Sequence, residues 1–265
     1  MIVAIIQARL GSTRLPGKIL MKINNKTILN YVIDQVKNSK KIDKIIVATT
    51  SKKQDDEIAK LSLVYGVDIF RGNENDVLDR YYQCAKKFHA DTIVRITSDC
   101  PLIDPTLIDN CILEFEKNDF EYVSNVNKKI NGNWVYHLNG FPLGFAVEVL
   151  NFHSLEYAWK CAKKPSEREH VTQYIPNNPE LFKIGVIENS HDYSDIHLSL
   201  DHPEDFELLK IVIQNFSKDK LFSLKKIISF FINNPSLKKI NSHLSFNEGY
   251  LKSLEEDKIA EKFYK

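Results

Sequence analysis

Over its first 215 residues the chain alternates short apolar, β-branched runs with stretches of helical periodicity. Residues 2–6 form the first run, and the absence of polar alternation predicts a strand buried on both faces. Ile28, Leu29, Val32 and Val36 then make the apolar stripe of a helix covering a sheet. Strands are expected at 44–49 and 67–70, with a helix at 55–64 between them. Residues 73–80 open with capping side chains and lead into a helix ending near His89, followed by a strand at 92–96. A helix from Pro105 to about residue 117 and a strand at 122–124 continue the pattern. Such alternation predicts right-handed crossovers and an α/β fold, a mainly parallel sheet flanked by helices with ligands at the carboxyl ends of its strands.

The pattern breaks over 125–144, where Trp134, Tyr136, His137 and several Asn and Gly residues indicate a long loop or a hairpin. A strand at 145–149, a helix from Ser154 to about residue 163 and a helix over 168–175, stopped by Pro176, are expected next. Strands at 182–187 and 196–200 precede a helix at 203–215 with Pro203 in its first turn. The tail, 221–265, carries two helices separated by Asn234, Pro235 and Ser236. With no repeat or low-complexity linker in the chain, residues 216–265 are expected as a helical extension packed on a main domain of 1–215.

Composition narrows the class. A length of 265 residues allows one large α/β domain with a substantial core. The net charge of +1 supplies no basic field, so a nucleic-acid partner is not expected. Cys84, Cys100, Cys111 and Cys161 are scattered without a Cys-x-x-Cys pair, which argues against a zinc site or a disulfide framework and for a reducing cytoplasm. The chain starts directly on a core strand, without the basic region of a signal peptide, and no apolar run is long enough for a bilayer, so no membrane partner is expected.

The segment Gln7-Ala8-Arg9-Leu10-Gly11-Ser12-Thr13-Arg14-Leu15-Pro16-Gly17-Lys18 follows the first strand immediately. Its cations, its two hydroxyls and its glycines, which let backbone N–H groups approach a ligand, suit phosphate. It is not a Walker A loop: the spacing from Gly11 to Gly17 is one residue too long, Pro16 precedes the second glycine, and Ile19 stands where a magnesium-binding hydroxyl belongs. The segment resembles instead the signature Ala-Arg-x-x-Ser-Thr-Arg-Leu-Pro-Gly-Lys of sugar-activating cytidylyltransferases, those of the 3-deoxy-manno-octulosonate type and the related spore-coat polysaccharide proteins. Arg9 and every residue from Ser12 to Lys18 match it.

Two acids extend the resemblance. Asp99, in Arg95-Ile96-Thr97-Ser98-Asp99-Cys100-Pro101-Leu102, reads on spacing alone as a cap or turn former. It matches the Asp of the family's Gly-Asp-x-Pro-Leu motif, with Ser98 replacing Gly and Cys100 replacing Glu. Asp201, in Leu198-Ser199-Leu200-Asp201-His202-Pro203-Glu204-Asp205, is similar to the first Asp of Asp-Thr-Pro-Glu-Asp, with His202 replacing Thr. The resemblance implies that both acids bind Mg2+, which takes few hard oxygen ligands beside a nucleoside triphosphate. Glu204 and Asp205 fall in a first helical turn, where negative charge is favoured without any catalytic role.

The resemblance further implies a Rossmann-like nucleotidyltransferase fold of the glycosyltransferase-A type, with 1–215 as catalytic domain. The implied activity is magnesium-dependent transfer of CMP from CTP to an acceptor oxygen, releasing pyrophosphate, for surface polysaccharide or capsule precursors. By that likeness Arg14, Lys18, Asp99 and Asp201 are catalytic, and Gln7, Ala8, Arg9, Leu10, Gly11, Ser12, Thr13, Arg14, Lys18, Arg80, Thr97 and Ser98 bind the nucleotide. From its own position Arg80 is equally a surface residue at a helix start. Acceptor candidates are Trp134, Tyr136, His137, Glu148 and the cluster Glu167-Arg168-Glu169-His170, which opens a run resembling the spore-coat branch. Arg168 and His170 either bind a small anionic acceptor or belong to a homodimer interface. A sugar acid would give a CMP-sugar, a phosphate monoester a CDP-linked product. A non-catalytic nucleotide-binding scaffold is the rival from another class, but it has no physical need for both acids and the whole basic loop. Choice of CTP rests on the resemblance alone, since relatives using other nucleotides share the architecture.

Overall fold

The computed structural model describes residues 1–245 and 247–263. In chain order, β1 (Ile2–Gln7) leads through the 7–18 loop to a ribbon of β2 (Lys22–Ile23) and β3 (Lys26–Thr27), then to α1 (Ile28–Lys37), β4 (Lys44–Thr50), α2 (Asp56–Val64), β5 (Asp68–Gly72), α3 (Val77–Lys87) and β6 (Thr92–Thr97). α4 (Pro105–Lys117) and β7 (Tyr122–Ser124) follow, then a hairpin of β8 (Asn127–Ile130) and β9 (Asn133–Tyr136), then β10 (Glu148–Asn151), α5 (Phe152–Cys161), α6 (Pro165–His170), α7 (Tyr174–Asn177), β11 (Ile184–Val186) and α8 (Pro203–Asn215). The tail holds α9 (Leu224–Asn233), a 3-10 stretch at Pro235–Ile240, and α10 (Glu248–Phe263).

Seven strands make one sheet in the order β11-β7-β10-β6-β1-β4-β5. Its pairings are parallel except around β10, which runs antiparallel to both β6 and β7. Side chains alternate between two cores: Ala4 and Ile6 pack with residues of α1, α4 and α8, while Val3 and Ile5 pack with residues of α3 and α5. Helices on both faces explain why these strands are apolar throughout rather than alternating. β1 and β6 are neighbours in register, Gln7 opposite Thr97, and the Ser98 N–H donates to the Gln7 carbonyl at 3.2 Å. The 7–18 loop and the Asp99 turn therefore leave the sheet side by side.

Three expected elements differ from the observed ones. The strand at 145–149 lies at Glu148–Asn151, because Asn125 pairs with the preceding stretch through its side chain, Nδ2 donating to the Phe145 carbonyl at 2.8 Å and Oδ1 accepting from the Val147 N–H at 2.8 Å. Residues 196–200 join no sheet. They make one parallel bridge with Leu143, whose N–H donates to Ile196 O at 2.9 Å and whose carbonyl accepts from Leu198 N at 2.8 Å. That approach needs Gly144, where φ is 101° and a Cβ would lie 2.6 Å from the Leu198 carbonyl carbon. The helix over 168–175 is two short helices broken at Val171, a buried β-branched residue at φ 66° and ψ −57°. There the Thr172 N–H donates to the His170 carbonyl at 2.7 Å, closing a strained three-residue turn. Pro176 sits inside the first turn of α7, where its missing N–H costs nothing, instead of stopping a helix. In the tail, α9 buries Ile227 and Phe231 against the main core, while α10 lies against α6. Among the described residues no helix is long and apolar enough to cross a membrane.

Candidate active site

The carboxyl edge of β1, β6 and their neighbours opens into a cavity of about 1060 Å3. The 7–18 loop forms one wall. Its start is anchored by Asp55, fully buried, which accepts the Leu10 N–H at 2.9 Å and the Thr50 hydroxyl. Leu10 accepts in turn from Ser12 N at 2.8 Å and Gly17 N at 3.2 Å, and Ser12 Oγ accepts from Leu15 N at 3.3 Å, so the loop folds on itself. Gly17, at φ 70°, turns the chain into the 3-10 helix that carries Lys18 inward. Gln7, Ala8, Arg9, Gly11, Ser12, Thr13, Arg14 and Lys18 all line the cavity. Leu10 does not: its side chain packs against the core, and its part in the site is to hold the loop's shape through its backbone.

Asp99 and Asp201, far apart in sequence, meet at Lys18. Its Nζ lies 2.8 Å from Asp99 Oδ2 and 2.8 Å from Asp201 Oδ1. Arg14 pairs with the same oxygen of Asp201. The Leu200 N–H donates to the Asp99 carbonyl at 2.9 Å, tying the two acid-bearing segments together. Asp205 caps its own helix and fixes the turn, its Oδ2 accepting from the N–H groups of Asp201 at 2.9 Å and His202 at 2.8 Å. Burial alone works against the Lys18 ammonium, but the two carboxylates more than offset it and raise its pKa. Burial likewise opposes ionisation of Asp99, and the ammonium overcomes this and holds its carboxyl below the usual range. Thr97 and Ser98 line the cavity beside the acid, the Thr97 hydroxyl 3.1 Å from Cys100 Sγ.

The opposite wall comes from α3 and α6. Arg80 lines the cavity but is 1 % exposed, so it is no surface residue; Nη1 donates to the Asn73 carbonyl at 2.7 Å, and Nε has no partner among the described residues. Arg9 turns away from Lys18 to Glu169 Oε1, at 3.0 Å. Arg168 lines the cavity with its donors already engaged, Nε and Nη2 on the Asp76 carboxylate that caps α3 and Nη1 on Trp159 O at 2.7 Å. It ties α6 to α3 inside one chain. His170 meets Ser253 Oγ at 3.1 Å, and burial pushes its pKa down to about 4, leaving a neutral ring. Tyr136 also faces the cavity, whereas Trp134 and His137 do not.

Glu148 is 3 % exposed and belongs to a network in the cavity floor. It pairs with Arg95, its register partner on β6, and accepts from Tyr122 Oη at 2.6 Å and from the Thr172 hydroxyl that follows the strained turn. Arg95 lines the cavity with Nε free of any partner among the described residues. Sequence inspection missed this residue as part of the site; the available signal was an arginine interrupting an otherwise apolar strand. It also missed α10, whose Glu248 Oε2 lies 3.1 Å from His202 Nε2 and 3.7 Å from Arg14 Nη1, and whose Tyr250 and Ser253 line the cavity. No local pattern distinguishes those residues from an ordinary amphipathic helix.

A profile of the cytidylyltransferase family matches residues 3–245. A relative from Methanocaldococcus jannaschii is 42 % identical over 92 % of this chain and 95 % of its own length. The spore coat polysaccharide biosynthesis protein SpsF of Bacillus subtilis is 32 % identical over 88 % of this chain and 95 % of its own. A solved cytidylyltransferase from Leptospira borgpetersenii superposes with a TM-score of 0.81 at 36 % identity, covering 89 % of this chain and 95 % of that one. Signature loop, parallel sheet and near full-length likeness agree, and the chain belongs to the cytidylyltransferase family of nucleotidyltransferase enzymes.

Proposed function

We propose that this enzyme is a magnesium-dependent cytidylyltransferase that transfers CMP from CTP to an oxygen of a small anionic acceptor, releasing pyrophosphate, and that its product feeds surface polysaccharide synthesis. One observation carries the chemical part: Lys18 stands between Asp99 and Asp201, 2.8 Å from each, at the edge of a cavity walled by the basic loop. The likeness to a spore coat polysaccharide protein supports the biological part.

The residues present fit magnesium. Two carboxylates already share one cation, and magnesium asks a protein for only one or two carboxylates while keeping water and phosphate oxygens as its other ligands. Asp99 and Asp201 would hold it. Bound there, the ion would neutralise charge developing on the α-phosphate as the acceptor oxygen attacks in line. Lys18 and Arg14, released from the carboxylates, would turn to the β- and γ-phosphates and stabilise the leaving pyrophosphate, with backbone N–H groups of the loop beside them. Thr97 and Ser98, which line the cavity beside Asp99, would meet the ribose, and residues of α6 and α3 line the same cavity. Preorganised charge and positioning supply the rate; a phosphate acceptor attacks through an oxygen that is already ionised and needs no base, whereas a sugar acid attacking through its hydroxyl would pass that proton to water in the open cavity as the bond to phosphorus forms.

The assay is pyrophosphate release from each of CTP, UTP, GTP and ATP with magnesium, with and without an acceptor panel of 3-deoxy-manno-octulosonate, glucose 1-phosphate and glycerol 3-phosphate. Release from CTP only when an acceptor is supplied is the expected result. Equal release from another nucleotide would move the base assignment, and CTP binding with no release on a wide acceptor panel would favour the scaffold.

A further inference from the structure

The family match ends at residue 245, and α10 starts at Glu248, yet α10 builds one wall of the cavity. It is docked by buried polar contacts. Asp257 accepts from the Ser166 N–H at 2.9 Å and the Ser166 hydroxyl at 2.6 Å, and Ser253 meets His170 at 3.1 Å. These contacts fix the rotation of the helix, so that Tyr250 faces the cavity together with Ser253 and Glu256. The Tyr250 ring centroid lies 5.3 Å from that of His170, edge to face, and 6.2 Å from that of Tyr136. Three rings, from β9, α6 and α10, thus adjoin one another in the cavity lining. The charges of α6 beside it are already paired, Arg168 with Asp76 and Glu169 with Arg9. A surface of this kind suits a ligand with an apolar C–H face and hydroxyls at its rim, the chemistry of a cyclic sugar.

We propose that Tyr250 is the acceptor-selecting residue of this enzyme: its ring, adjoining those of Tyr136 and His170, takes the C–H face of a cyclic sugar and disfavours acyclic acceptors. This rests on the reading above that an acceptor binds beside CTP. α10 is accordingly a specificity wall added to a nucleotide site that the family core builds without it. Tyr250 touches none of Lys18, Asp99 or Asp201 in any hydrogen bond or ion pair of the described residues, so its loss should spare the nucleotide half.

The test uses the full-length protein with CMP in the nucleotide half, so that no reaction runs, and saturation-transfer NMR with irradiation of the aromatic resonances. The probes are 3-deoxy-manno-octulosonate, glucose 1-phosphate and glycerol 3-phosphate. Transfer to ring C–H protons of a cyclic probe is expected in the wild type and in Tyr250→Phe. In Tyr250→Leu, which keeps the apolar bulk, the affinity for that probe should fall by about tenfold. The Kd of CTP, measured by calorimetry, should stay within about twofold in both variants. Undiminished affinity of the cyclic probe in Tyr250→Leu overturns the proposal, as does equal or better binding of glycerol 3-phosphate, or absence of probe binding to a wild type that binds CTP normally. A wild type that fails to bind CTP instead removes the functional reading itself, and the proposal with it.

Discussion

Lys18 is the residue on which the charged end of the cavity turns. It pairs with both acids, and Asp99 loses its proton more readily for it. Asp99→Asn or Asp201→Asn should therefore reduce turnover by at least about a hundredfold, with an unchanged circular dichroism spectrum, because charge on the phosphates is left uncompensated. Near-normal rates in both variants would remove the metal role. The ion pair also sets a pH window. Asp99 is depressed, so its contribution to stability is complete above the ordinary carboxylate range and is lost as pH falls through its lowered value. Lys18 is raised, so its contribution is complete below the ordinary lysine range and is lost as pH rises through its raised value. Urea unfolding of wild type and Lys18→Met should differ most near neutral pH and converge in acid. His170 works in the same sense as Asp99 on acidification, but at higher pH. Its pKa lies at about 4, so between the ordinary histidine value and that point only the unfolded chain takes up the proton. Acidification over that range should cost on the order of 3 kcal/mol, and His170→Gln should remove most of this slope in urea titrations.

Elements place these side chains through a few close backbone approaches. The bridge between Leu143 and residue 197 sets the height of the Asp201 segment, and Gly144 permits it. Gly144→Ala would put a methyl 2.6 Å from the Leu198 carbonyl carbon at a backbone angle that disfavours any side chain. A loss of about 2 kcal/mol or more in stability, together with a fall in turnover, is the expected outcome; unchanged activity would show that the bridge does not position Asp201. On the other side, Asp55 fastens the basic loop to the sheet. Asp55→Ala strands the Leu10 N–H and the Thr50 hydroxyl and should cost about 1–3 kcal/mol while weakening CTP binding, a pairing of effects that calorimetry and thermal melts can separate. The turn at Val171 stores strain directly between His170, which faces α10, and Thr172, which holds Glu148. Strain of this kind persists only where the surrounding packing over-determines it, and Val171 is completely buried.

At the scale of the molecule, the cavity joins a family core to a C-terminal helix, and its occupancy should be felt throughout the fold. CTP with magnesium at a hundred times its Kd should stabilise the protein by about 2.7 kcal/mol, a rise of several degrees in Tm. Chelation by EDTA, or Asp99→Asn, should abolish most of that rise; an undiminished shift without metal would refute magnesium dependence. Much of this architecture was legible in the chain. The apolar runs and helical stripes marked the α/β alternation, and the loop from Gln7 to Lys18, with Asp99 and Asp201, marked residues that the fold brings together at one cavity, because hydrophobic period, glycine turns and short motifs are local properties of a sequence. What tertiary structure alone decided is how the charges are shared. Arg168, an acceptor candidate by sequence, is spent on capping α3 through Asp76; Glu148 is a brace for Arg95; and Tyr250, in a tail that looked like mere packing, faces the cavity. Each outcome depends on strand register and on which helix crosses which edge, and those are set by the burial of the whole core, not by any stretch short enough to carry a pattern.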